Sequence, residues 1–198
     1  IDISASAFAS FSERDNPVGI AAIAKPPTLA LESLPVRSDS IFIALYKIRN
    51  PGNLGTIVRT ADSIGSAGII LIGNTVDPFD PSCIKASMGT VFNVPIVKVK
   101  DENTLVTWCS KQGIKTITTS SRAKSIISDC LFSFPCIILL GSETQGLPEE
   151  LLNSGDYPVR IPMYGQANSL NLAVAAGIIM YEVKKTLNEQ QSPPEGKG

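Results

Sequence analysis

The chain has 198 residues and a net charge of −1, and its 43% hydrophobic and 18% charged residues suit one full domain plus an appendage, or two small domains. It contains no histidine, which excludes Ser-His-Asp and Cys-His catalysis and histidine-bound metals. No apolar run is long enough to span a membrane, and the first residues lack the charged start and apolar core of a secretory signal.

Charge and cysteine content narrow the class of protein further. The 17 basic residues are offset by 18 acidic ones, so whole-chain charge does not favour nucleic-acid binding, which would depend on a local basic patch. The four cysteines include no Cys-x-x-Cys pair, which favours buried reduced thiols over a zinc site. We therefore expect no metal and a cytoplasmic location, or an organelle if a targeting segment has been removed.

The first 40 residues are interrupted by prolines and show no sustained periodicity. Within them, Asn16–Ala24 combines an Asn-Pro turn with a short apolar run. This pattern predicts a strand after the turn.

From Ile41 the sequence alternates between apolar runs, typical of buried parallel strands, and segments of helical periodicity. The predicted strands are Ile41–Tyr46, Gly68–Gly73, Val94–Val99, Ile114–Thr119 and Cys136–Leu140. The predicted helices are Asn53–Gly65, Pro81–Met88, Asn103–Gln112, one that opens at Pro148, and Ser169–Leu187. The alternation predicts an α/β fold with an open, mostly parallel sheet and helices on both faces.

Two of these helices carry further information. In Asn53–Gly65 the apolar residues form one stripe, and Arg59 lies off it, so we expect Arg59 to project from a polar face near the helix start. Ser169–Leu187 is apolar on nearly every side, which predicts a buried helix that a partner subunit covers in part. The polar, Pro- and Gly-rich residues 188–198 that follow are predicted to be a disordered tail.

The segment Gly141–Gly146 directly follows an apolar strand, where parallel α/β sheets often bind ligands. This segment is interpretable as a simple strand-to-helix turn. A turn does not need the carboxylate of Glu143 between its two glycines, so this residue indicates an additional role. The first strand is not followed by a Gly-x-Gly-x-x-Gly fingerprint, and the chain has no phosphate loop for nucleoside triphosphates. These absences disfavour a nucleotide-dependent small-molecule enzyme.

Three segments, taken together in order and spacing, resemble the motifs of the SpoU (TrmH-like) RNA ribose 2'-O-methyltransferases of the SPOUT superfamily. They are Asn50–Thr60, Gly141–Gly146, and Ile161–Met163 continued by Ser169–Asn171. The resemblance covers residues 37–187 and implies a methyltransferase catalytic domain with a C-terminal trefoil knot, active as a homodimer. Residues 1–36 then correspond to the C-terminal remnant of an N-terminal RNA-binding domain plus a linker.

The resemblance also implies a cofactor, S-adenosylmethionine (SAM), and a set of site residues. Backbone and apolar groups of the second and third segments would hold the adenosine, at Leu140, Gly141, Ile161, Met163 and Leu170. Ile161 and Leu170 are equally compatible with an ordinary core position.

The polar positions that match the family's catalytic set are Asn50, Arg59, Glu143, Ser169 and Asn171. Taken alone, Arg59 would be an ordinary solvated residue, and Ser169 and Asn171 would serve as helix N-cap residues. In this motif, nine residues after Asn50, Arg59 is the leading candidate for the catalytic residue.

The implied reaction transfers a methyl group from SAM to a ribose 2'-hydroxyl of RNA, with ribosomal or transfer RNA as the partner. Arg59 would act either as the base or, more consistently with a guanidinium pKa above ~12, by fixing a phosphate or hydroxyl and stabilising developing charge. A catalytically idle RNA-binding or ribosome-assembly factor on the same fold is the alternative. Such a factor would more naturally have lost Arg59, Glu143 or Asn171.

Overall fold

A single seven-stranded, all-parallel sheet organises the structure, a computed structural model that describes residues 1–12 and 19–192. The strands are β1 Ile41–Tyr46, β2 Gly68–Ile72, β3 Ile96–Val99, β4 Lys115–Thr119, β5 Ser125–Ile126, β6 Cys136–Leu140 and β7 Tyr157–Arg160. Their spatial order is β3-β2-β1-β6-β4-β7-β5. The helices are α1 Ala5–Phe11, α2 Pro51–Ser63, α3 Pro81–Ala86, α4 Glu102–Gln112, α5 Glu149–Ser154 and α6 Leu172–Gln191.

Alternate residues of the central strands supply two separate cores, one on each face of the sheet. On one face Ile43 and Leu45 of β1 pack with residues of α2, α3 and α6. On the other face Phe42 and Ala44 pack with residues of α4 and α5. Because β1 is buried along its whole length, its apolar run reflects cover on both sides. The prediction of an α/β fold with a parallel sheet and helices on both faces is confirmed.

The five predicted strands are present, with β1 and β6 at their predicted bounds, but two further strands were missed. β5 has only two residues, too few for a pattern. β7 contains Pro158, which lacks the N–H that a central strand needs. Here the proline is tolerated because β5 pairs only with Val159 and Arg160, so no strand lies opposite Pro158 on that side.

The strand predicted within Asn16–Ala24 is wrong for the part that can be assessed. Residues 13–18 lie outside the described residues, and 19–24 form no strand, with Ile20 and Ile23 exposed. Instead, α1 forms near the N-terminus and buries no side chain. Leu31 and Leu34 pack into the second core, so residues before position 37 contribute to the packing of the sheet.

The last helix departs from its prediction in position and in burial. It starts at Leu172 and continues to Gln191, so residues 188–191 of the predicted tail are helical, while 193–198 lie outside the described residues. One face, including Ala176 and Val183, is buried against the sheet and α2. The opposite face leaves three large apolar side chains exposed in the single chain, Val174, Ile178 and Tyr181. Within residues 1–12 and 19–192, no helix is long and apolar enough to cross a membrane.

Candidate active site

A pocket of about 180 Å³ lies beyond the carboxyl ends of β4, β6 and β7, beside the start of α6. Four of the five predicted cofactor residues line it, namely Leu140, Ile161, Met163 and Leu170, and Ser169 joins them. Met163 and Leu170 remain 38% and 36% exposed at its rim. The pocket therefore has apolar walls and two large apolar side chains that a bound ligand would cover.

Gly141, the fifth predicted cofactor residue, is placed by the loop that follows β6. The loop closes on itself through Ser142 and Gly146, whose backbone groups exchange hydrogen bonds of 3.3 and 3.0 Å. A β-carbon on Gly141 would overlap the backbone of Gly146 and Leu147, so only glycine fits there. The turn interpretation of this segment and a binding role for it are thus compatible.

The three segments meet at the side chain of Asn53, in the first turn of α2. Its Nδ2 donates to Oε1 of Glu143 at 3.0 Å, and its Oδ1 accepts from Nδ2 of Asn171 at 3.1 Å. Both ends of one amide are used, so the orientation of Asn53 fixes Glu143 and Asn171 relative to each other. This network joins the first, second and third segments at one point.

Two asparagines of the predicted catalytic set act as helix caps. Oδ1 of Asn50 accepts from the backbone N–H of Asn53 at 3.0 Å and caps α2. Oδ1 of Asn171 accepts from the N–H groups of Ala173 and Val174 at 2.9 and 3.3 Å and caps α6. These bonds satisfy free N–H groups of the first helical turns. Of the two residues anticipated at the start of this helix, Asn171 is the N-cap, whereas Ser169 lies before the helix and does not cap it. The cap leaves the Nδ2 group of Asn171 available to Asn53.

Arg59 stands apart from this network. It lies in the third turn of α2, not near the helix start as predicted, and its side chain is exposed. Within residues 1–12 and 19–192 its side chain forms no hydrogen bond or ion pair. The single chain therefore brings together Glu143 and Asn171, with Ser169 in the lining of the pocket, but it does not bring Arg59 to them.

The comparisons with known proteins agree with this geometry. Residues 40–181 match the model of the SpoU rRNA Methylase family. The chain belongs to that family. It is 33% identical, over 86% of its length, to the 23S rRNA (uridine(2479)-2'-O)-methyltransferase of Streptomyces viridochromogenes, of which it spans 61%. It is 31% identical, over 92% of its length, to the 23S rRNA (guanosine(2553)-2'-O)-methyltransferase of Bacillus subtilis, of which it spans 71%.

A solved structure provides a check on the fold of this SpoU family member. The AdoMet-bound rRNA methyltransferase from Sinorhizobium meliloti superposes with a TM-score of 0.87 at 35% identity, covering 92% of this chain and 70% of that one. The chain thus spans about two thirds of the proteins it resembles.

Within the SpoU family motifs of this chain, sequence reasoning missed Asn53. The available signal was its position, inside the first segment between Asn50 and Arg59, where asparagine is a weak helix former. Its two long-range partners could not be read from spacing, because they are 90 and 118 residues away.

The cysteines of this SpoU domain show no sign of catalytic or metal-binding use. Burial raises the pKa of Cys83 to about 11 and that of Cys109 to about 12, so both thiols stay protonated at neutral pH. Among the described residues, no three Cys, Asp or Glu side chains converge as a metal site would require.

Proposed function

We propose that this chain is the catalytic part of a SAM-dependent RNA methyltransferase that modifies a ribose 2'-hydroxyl of ribosomal or transfer RNA. The observation that carries the proposal is the Asn53 network, which joins Glu143 and Asn171 beside the apolar pocket. The names of the relatives, which are RNA 2'-O-methyltransferases, support the same reaction.

The pocket fits the adenosine part of SAM. Adenine is planar and apolar on its faces, and it would cover the exposed parts of Met163 and Leu170 between Leu140 and Ile161. There is no room for a side chain at Gly141. Main-chain groups next to Leu140 would therefore bind the polar edge of the adenine. When bound, SAM supplies an activated methyl group on a sulfonium.

The polar residues have the task of positioning the acceptor hydroxyl and stabilising charge on its oxygen. Glu143 and Asn171, held by Asn53, would orient the ribose, and Ser169 lines the pocket beside them. Arg59 would donate hydrogen bonds to a phosphate or to the developing oxyanion. A guanidinium is a hydrogen-bond donor and a poor proton acceptor, so the hydroxyl proton leaves to phosphate or water.

In a homodimer, Arg59 of one subunit would reach the site of the other subunit and complete it. The exposed stripe of Val174, Ile178 and Tyr181 on α6 is the surface we assign to the partner subunit. Close packing of α6 on α2, with Gly177 near Thr60, places this stripe on the helix beside the one that carries Arg59.

We also propose the C-terminal trefoil knot for this domain. The insertion of β6 between β1 and β4, strands that precede it in the chain, supports a threaded chain. We assign the protein to the cytoplasm, supported by its four free thiols, and we propose a reaction that needs no metal.

The test is to incubate the protein with methyl-labelled SAM and separate samples of ribosomal and transfer RNA. We expect label in ribose 2'-O-methyl groups, and unchanged transfer when a chelator is present. Calorimetry with SAM alone measures cofactor binding to the pocket independently of methyl transfer. The Leu170→Arg variant, whose larger side chain would block the pocket, is the negative control. SAM binding without transfer to any RNA would favour the idle RNA-binding factor.

A further inference from the structure

Two cations lie at the carboxyl edge of the sheet, next to the loop that carries Glu143. Lys47 and Arg49 follow β1 directly, and β1 is paired with β6 so that Leu45 lies opposite Leu140. Lys47 and the first residues after Leu140 therefore follow the ends of two adjacent strands, at the same height along the sheet. We call Lys47 and Arg49 the basic edge.

The backbone holds Lys47 in an uncommon conformation. Its φ of 51° lies in the left-handed region, which costs a lysine energy and which glycine adopts freely. The N–H of Lys47 donates to the carbonyl of Ile72 at 3.0 Å, which ties the turn to the end of β2. The bend directs the lysine stem over Gly73, where a β-carbon would lie 3.4 Å from Cγ of Lys47. The side chain is thus placed across the end of β2, on the side of β1 that faces away from β6.

Among residues 1–12 and 19–192, no acidic side chain forms an ion pair with the ammonium group of Lys47. Nζ lies 4.8 Å from the centre of the Tyr46 ring, a cation-π distance. Interaction with the Tyr46 side chain raises the pKa of Lys47, with a smaller contribution from the nearby Glu102. Lys47 therefore keeps its positive charge throughout the neutral range.

The ion pairs of the described residues use other cations. They are Lys98 with Asp77, Lys115 with Asp156, and Lys185 with Glu189. Lys47 and the exposed Arg49 thus remain available to an external anion, although the chain as a whole has a net charge of −1. Because no general positive field attracts RNA to this chain, a few placed cations have to provide the attraction.

We propose that Lys47 and Arg49 bind phosphates of the RNA strand that flank the target ribose, and so set the position of the strand at the site. This inference rests on the proposed RNA methyltransferase function and extends it to named substrate contacts. Arg49 suits a phosphate because its guanidinium offers two parallel donors, and Lys47 suits it as a fixed point charge. A preordered lysine loses less side-chain freedom when RNA binds.

The experiment compares Lys47→Gln and Arg49→Gln with the unchanged 198-residue chain, using a fluorescently labelled single-stranded RNA oligonucleotide. Each phosphate contact that is lost should make the slope of log affinity against log salt shallower by about 0.7. Turnover on ribosomal RNA should show a raised KM with little change in kcat. Lys111→Gln is the matched control, since Lys111 is exposed in the last turn of α4, at the opposite edge of the sheet.

A second substitution at position 47 separates the loss of the charge from any loss of folding. Lys47→Gly removes the cation and also relieves the left-handed backbone, so it should reproduce the change in slope without lowering thermal stability. Unchanged slopes and KM in all three variants would overturn the inference. If the slopes change but no RNA accepts a methyl group, the proposed reaction fails while the basic edge stands as a phosphate-binding surface.

Discussion

Asn171 donates its side-chain amide to Oδ1 of Asn53 across 3.1 Å, although 118 residues separate the two in the chain. We predict that Asn53→Ala lowers kcat at least tenfold, because Glu143 and Asn171 lose their shared partner and about 1 kcal/mol for each hydrogen bond. Steady-state methyl transfer measures this. Asn103→Ala, in the exposed first turn of α4, is the control and should keep full activity.

Arg59 should be essential for transfer and unimportant for cofactor binding, because it lies outside the pocket and the Asn53 network. We expect Arg59→Ala to lower turnover about 100- to 1,000-fold, as removal of an oxyanion donor does in other enzymes. Calorimetry should give an unchanged affinity for SAM, and exposed Arg37→Ala should behave as wild type. Turnover close to wild type in the Arg59 variant would remove it from the catalytic set.

The exposed stripe of α6 should be a subunit interface. Ile178→Asp should shift the protein to a monomer in light scattering and abolish transfer, because a buried unpaired carboxylate disrupts the contact. Val106→Asp on α4 is a matched control, since Val106 is 39% exposed and Ile178 is 38% exposed. A monomer with full activity would contradict the interface.

Shared sites predict a specific rescue in mixed dimers. Arg59→Ala and Leu170→Arg subunits, each inactive alone, should regain partial activity when mixed, because one of the two sites then receives an intact Arg59 and an intact pocket.

The close approach at Gly141 should make this position intolerant of any side chain. We expect Gly141→Ala to lower the free energy of unfolding by about 1 to 3 kcal/mol and to weaken SAM binding, because the Gly146–Leu147 backbone has to move. Urea unfolding and calorimetry measure the two effects. Gly165→Ala is the control, since nothing lies within 4 Å of a β-carbon there.

The ion pair between β4 and the start of β7 should stabilise the fold in a pH-dependent way. Partial burial alone would raise the pKa of Asp156, but hydrogen bonds from Lys115 and Thr116 outweigh it and lower this pKa. A lowered folded-state pKa gives stability that is present at neutral pH and lost as the pH falls through that pKa. Asp156→Asn should therefore be less stable than wild type at neutral pH, and the difference should shrink in acid.

Urea unfolding at a series of pH values measures this effect. Glu189→Gln is the control, because the 3.9 Å pair with Lys185 is exposed and contributes little. A pH-independent difference for Asp156→Asn would show that the carboxylate charge is not what stabilises the wild type.

The sequence predicted the parts of the fold that depend on local pattern. β1 and β6 were found at their observed bounds because both are buried on both faces and consist of unbroken apolar runs. β7 was missed because a proline is unfavourable within a strand that is paired on both sides. The sequence does not reveal that the neighbouring strand β5 stops short of Pro158. The burial of Leu31 and Leu34 was missed because two leucines in a Pro-rich segment carry no periodicity.

For the site, motif positions could be predicted and their connections could not. The resemblance placed Leu140, Ile161, Met163 and Leu170 in one set, and the structure puts all four around one pocket. The role of Asn53 depends on tertiary contacts with Glu143 and Asn171, which no local pattern encodes. The apolar stripe of α2 did predict that Arg59 lies on an exposed face, but it gave no information on how far Arg59 lies from this network.

The wide separation of Asn53 from its partners has a consequence for protein synthesis. At ~5–20 residues per second, roughly 6–24 s pass between the addition of Asn53 and that of Asn171, 118 residues later. β1 is made before that interval and β2 to β7 are made during it, while α6 does not yet exist. A ribosome that stalls before Asn171 would thus release a polypeptide with much of its sheet but no assembled site, and such a fragment could not modify RNA.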